Sequence, residues 1–95
     1  MAAYLIADIE IQDPEGYEEY KKRAAATVLR FGGRYLARGG RHEMLEGEWK
    51  PTRLVILEFP DMARLKAWYS SSDYEVAKPF RLKNAHSHLV ALEGV

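Results

Sequence analysis

The chain has 95 residues, room for one domain (residues 1–95) and no more. Its 14 basic side chains are balanced by 14 acidic ones, so no net field recommends nucleic acid or an anionic membrane as a partner. It has no cysteine, which excludes disulfides, thiolate nucleophiles and cysteine-ligated metals.

No apolar run approaches the ~18 residues that a membrane span requires. The stretch after Met1 has no basic region before its apolar residues, so no signal peptide is expected and a cytoplasmic protein is. A domain of this size buries only roughly 60–70% of the surface of its unfolded chain. Association would supply further burial.

Tyr4 to Ile11 alternates, with Leu5, Ala7, Ile9 and Ile11 on one side and Tyr4, Ile6, Asp8 and Glu10 on the other. This predicts a strand with one apolar face and one mixed face. Asp13-Pro14 then has the chemistry of a helix start. Tyr17, Tyr20, Ala24, Val28 and Phe31 form the stripe of an amphipathic helix, which Gly32-Gly33 ends. Arg34 to Arg38 reads as a short strand. Gly39-Gly40 is expected to be a bulge, with His42 to Leu45 continuing the strand until Glu46-Gly47 turns it. The return strand starts near Arg53, after Pro51. Val55, Leu57 and Phe59 share one of its faces; Leu54, Ile56 and Glu58 share the other. Such a strand belongs in the centre of a sheet.

Pro60-Asp61 repeats the earlier punctuation, and Met62, Leu65, Trp68 and Tyr69 mark a second helix. Ser70-Ser71-Ser72 interrupts it. Ser72-Asp73-Tyr74-Glu75 has capping-box spacing for a new helix. Pro79 is expected to kink or shorten that helix. His86 to Glu93 closes the chain as a strand, with His86, His88, Val90 and Leu92 on one face.

The order strand, helix, strand, strand, helix, strand predicts an α+β fold, a ferredoxin-like split βαβ sandwich. Right-handed crossovers put the first and third strands at the centre of a four-stranded antiparallel sheet with the helices on one face. The other face carries Tyr4, Ile6, Leu54 and Ile56, too apolar to leave wet. A second copy is expected to cover it, giving a homodimer.

Gly32 to Gly40, Leu45-Glu46-Gly47-Glu48-Trp49, Leu54 to Pro60, and Trp68-Tyr69 ahead of Ser72-Asp73-Tyr74 resemble the family called domain of unknown function 1330. The resemblance covers essentially the whole chain. It implies a dimeric α+β barrel, in which two ferredoxin-like sheets pack face to face. That superfamily also holds cofactor-independent monooxygenases of polyketide tailoring, muconolactone isomerases, stress-response barrel proteins and haem-degrading enzymes. A shared fold does not transfer an activity.

Three constellations are candidates for chemistry. His86 and His88 lie two apart on a strand and point to one face; they are either a proton-transfer or ligand pair, or partly solvated strand-end residues. No metal or cofactor is expected. Asp8, Glu10 and Glu58 fall on the mixed face, as general bases or as partners of Arg34 or Arg38 in ion pairs. Trp68, Tyr69 and Tyr74, with Arg81 further on, are either core filling or the wall of a pocket for a small planar anionic or phenolic ligand. Trp49 is either a clasp on the partner or a lid.

Two functions follow. In the first, a cofactor-independent oxygenase or isomerase acts on a small aromatic or lactone-like compound. His86, His88, Tyr74 and Arg81 would be its catalytic residues; Arg38, Glu58, Trp68 and Tyr69 would hold the ligand. In the second, the protein is a non-catalytic ligand-binding or stress-associated dimer. The two differ in whether a histidine or carboxylate enters the cavity.

Overall fold

The alternation of β1 (Ala3–Ile11) is realised residue by residue: Ala3, Leu5, Ala7 and Ile9 are buried, and the residues between them are not. The computed structural model describes residues 1–95. After β1 come α1 (Pro14–Arg30), β2 (Arg34–Arg38), β3 (Leu54–Phe59), α2 (Met62–Tyr69), α3 (Ser72–Asn84) and β4 (Ala85–Glu93). The strands form one antiparallel sheet in the order β2-β3-β1-β4, so β1 and β3 are central, as expected. Ala7 stands opposite Val55 on one side and Leu89 on the other. This register sends the buried side chains of the central strands toward the helices. There they meet Tyr17, Ala24, Val28, Leu65, Trp68 and Tyr74, completing one core.

The helix starts have identifiable causes. Asp13 caps α1, accepting from the Glu15 and Gly16 amides at 3.2 and 3.4 Å, with Pro14 at the first helical position. Gly32 ends this segment at a φ of 79°, a left-handed conformation that glycine takes without strain. Asp61 caps α2 through the Arg64 amide at 2.7 Å.

Three local expectations are corrected. The cap of α3 is Ser71, not Ser72: its Oγ accepts from the Tyr74 amide at 3.1 Å. The cause is that α2 stops at Tyr69, and Ser70 and Ser71 complete the turn by bonding back to Lys66 and Trp68. Pro79 does not shorten α3, which runs on to Asn84. Pro79 and Glu75, whose carbonyl loses its amide, both lie on the exposed side where water can replace the bond. Gly39-Gly40 is not a bulge, and 42–45 is not a strand. Gly39, at a φ of 71°, turns the chain out after Arg38 while its amide bonds Leu54 O at 2.8 Å. β3 begins only at Leu54, so 42–45 has no partner strand. The bulge lies at Leu36 instead, between Tyr35 and Ala37.

Candidate functional site

A cavity of about 30 Å³ lies between the sheet and the helices, walled by apolar side chains of β1 and β3 and by Tyr17, Tyr20, Tyr35 and Trp68. On the volume needed per water, it has room for about two. Toward solvent it meets an open depression of about 450 Å³ between α1 and the β2–β3 end of the sheet; Lys21, Arg38 and Arg53 line both.

Each polar wall residue is placed by an element. α1 supplies Tyr17 and Tyr20, one helical turn apart, with ring centroids 5.3 Å from each other. The start of α3 supplies Tyr74, fully buried, whose hydroxyl meets that of Tyr20 at 2.8 Å. Two turns later the same helix supplies Arg81, also buried. Its Nε donates to Tyr74 Oη at 3.3 Å, and Nη1 donates to Ser87 Oγ on β4. Trp68 stacks against Tyr74 at 4.3 Å and donates its indole hydrogen to Thr27 Oγ1 at 2.9 Å. Arg53 Nη1 donates to Tyr17 Oη at 3.3 Å, and the Arg38 guanidinium lies 4.3 Å above the Tyr35 ring.

Burial bears on the charge of four of these groups. Burial pushes Tyr17, Tyr20 and Tyr35 above the usual tyrosine range. Burial works against the charge of Arg81, but the Tyr74 oxygen, through its field and hydrogen bond, outweighs it and holds Arg81 above its ordinary value. The cavity therefore offers neutral hydroxyl donors and fixed cations. No histidine and no carboxylate lines it.

The residues singled out in the sequence fall into two groups on opposite faces of the sheet. Tyr74, Arg81, Arg38 and Trp68 belong to the helix side. Tyr69 packs on that side too, 5.7 Å from Tyr74, with the Lys78 ammonium 4.6 Å above its ring. His86 and His88 stand exposed on the open face, opposite Glu10 and Asp8 in register, with ring centroids 5.3 Å apart. Glu58 is also on the open face, in a 2.6 Å ion pair with Arg34. No three histidine, aspartate or glutamate side chains converge in metal-binding geometry.

Trp49 folds back onto its own sheet: its indole donates to Asp8 Oδ2 at 3.1 Å, while the Thr52 amide donates to Oδ1 at 2.9 Å. It borders an apolar hollow of about 230 Å³ with Ile6, Leu54 and Val90 on the open face.

In the sequence Tyr17 and Tyr20 read as core stripe only, and nothing there marks Tyr35 or Arg53 as site residues. The available signal was the residue type. A tyrosine in a buried stripe brings a hydroxyl that must find a partner, which leucine or phenylalanine would not.

Residues 2–95 match the family described as domain of unknown function (DUF1330). The chain belongs to this family. No curated protein matches it. Among solved structures, this DUF1330 chain is similar to RPA0582 of Rhodopseudomonas palustris, a protein of unknown function. That likeness has a TM-score of 0.79 at 20% identity, over 99% of this chain and 82% of the other. A dimeric ferredoxin-like protein of unknown function from Jannaschia sp. CCS1 gives 0.67 at 16% identity, over 99% and 100% of the two chains. SnoaB of Streptomyces nogalater, a cofactor-independent oxygenase, gives 0.64 at 12% identity, over 99% and 93%. At these identities the likeness is one of fold.

Proposed function

We propose that this DUF1330 chain is a homodimer that binds a small molecule at the cavity between α1, α3 and the sheet, its head group in the inner space and its body in the open depression outside it. The observation that carries this reading is the wall itself. Four aromatic side chains, three of them with hydroxyls, surround the space, and no proton-transfer residue that titrates near neutrality enters it. Recognition needs only such a wall; proton abstraction needs a base within reach. The dimer is supported by the apolar open face and by the dimeric description of the Jannaschia relative. Balanced charge speaks for a small-molecule rather than a nucleic-acid partner. A cytoplasmic site belongs to this reading; no helix is long and apolar enough to cross a membrane.

The test is native mass spectrometry of protein purified without additives, paired with a crystal structure of the same untreated material. The expected result is two chains plus a non-covalent adduct that disappears on denaturation, with density beside Tyr20 and Tyr35. Bare chain mass and water-filled density would overturn the binding reading.

A second reading, a cofactor-independent oxygenase or isomerase acting on a small aromatic or lactone-like compound, is supported by the fold shared with SnoaB. In that case Arg81 steadies an enolate-like charge. The base is the substrate's own anion, because His86 and His88 stand on the far side of the sheet and the cavity tyrosines are neutral. Turnover of a phenolic or lactone substrate that survives His86→Ala and is lost in Tyr74→Phe would favour this reading over simple binding.

A further inference from the structure

The cavity holds a charge that nothing around it neutralises. Arg81 is 3% exposed and is absent from the ion pairs of the protein. Its Nε and Nη1 are used by Tyr74 and Ser87, but Nη2 has no protein acceptor. No sealed side-chain nitrogen or oxygen in the chain lacks a partner. Nη2 is therefore not sealed, and Arg81 lines the cavity. A buried cation without an anion is expensive.

The surroundings add positive charge rather than removing it. Arg53 and Arg38 line the same space and have no carboxylate partner either. Lys21 pairs with Glu18 at 2.7 Å, and Glu18 is the one acid of the outer depression. The inner space, about 30 Å³, suits a head group and not a ring. The depression of about 450 Å³ outside it has room for a ring beside the Arg38–Tyr35 stack.

We propose that the ligand is an aryl carboxylate, its carboxylate passing Lys21 to reach Arg81 and Arg53 and its ring lying against Arg38 in the outer depression. This deepens the small-ligand reading and rests on it. A planar carboxylate presents two oxygens to a guanidinium fork, which is the acceptor geometry Arg81 lacks.

The experiment uses the full chain carrying Trp49→Phe, which leaves Trp68, in the cavity wall, as its single tryptophan. Benzoate and its neutral isostere benzamide are titrated while Trp68 fluorescence is followed. Benzoate is expected to give saturable quenching and to bind at least about tenfold tighter than benzamide. Adding Arg53→Gln is expected to cut that advantage severalfold, with Arg81 keeping the remainder. Arg53 is only partly buried, so the variant should fold where Arg81→Gln risks collapse of the core. Equal affinity for the two probes, an Arg53→Gln protein whose preference for benzoate is undiminished, or no quenching by either would overturn the carboxylate assignment. The native mass measurement decides the small-ligand reading separately.

Discussion

Asp8 shows how one side chain can organise a segment that has no regular structure. It lies on the mixed face of β1, and its two oxygens take the Thr52 amide and the Trp49 indole. Burial pushes its carboxyl up, but these hydrogen bonds, the Arg53 amide and the nearby His88 outweigh burial and hold it below its ordinary value of 3.8. A carboxyl depressed in the folded state contributes stability that is complete above the unfolded value and is lost as pH falls through the folded one. Asp8→Asn is therefore expected to be less stable near neutrality and to show a flatter acid limb below about pH 4, read from urea melts across the acid range. Parallel loss of stability in the two proteins would mean that Asp8 does not clamp the segment as a carboxylate. Arg81 is the opposite case, a buried charge kept without a counter-charge.

At the scale of elements, the helix pair α1 and α3 positions the tyrosines, and the pair is pinned where α1 begins and α3 ends. The carbonyl of Asn84 accepts from the Gln12 and Asp13 amides at 2.9 and 3.1 Å, while its side-chain amide donates to Phe80 O at 2.7 Å. A Cβ at Gly16 would overlap the Asn84 side chain. Gly16 is thus a close-approach glycine, although Ala has the better helix propensity. Gly16→Ala is expected to lower stability by about 1–3 kcal/mol, the usual cost of overpacking, instead of gaining the roughly 0.5–1 kcal/mol that propensity alone would give. A thermal melt decides between the signs. The cap of α3 teaches a related lesson: Ser70, Ser71 and Ser72 are chemically alike, and only the end of α2 selects which of them faces the free amides.

At the scale of the molecule, one layer of helices covers one face of the sheet and leaves the other bare, in a slab with extents of 35 × 33 × 17 Å. On the bare face Val90 and Leu92 are 57% and 53% exposed, beside Ile6, Ile56 and Tyr4. A contiguous apolar surface of this kind marks an interface. Light scattering at micromolar concentration is expected to return twice 10.9 kDa, and Val90→Glu to return that mass once. Monomer mass for the unaltered chain would defeat the dimer.

The α+β order, the central place of β1 and β3, and the apolar character of both faces were legible in the chain, because period-2 and period-3.6 patterns record which side of an element is buried. Tyr74, Trp68 and Arg81 were legible as a cluster because two consecutive helices, α2 and α3, carry them close together in the chain. Tertiary structure alone decided that His86 and His88 stand across the sheet from that cluster, since a strand's faces gain their identity only from what packs on them. It also decided that Tyr17, Tyr35 and Arg53 join the same wall, since three elements distant in sequence meet there through packing. Loop 39–53 was decided in the same way, by Asp8, a hydrogen-bonding partner more than forty positions earlier in the chain than Trp49 and Thr52.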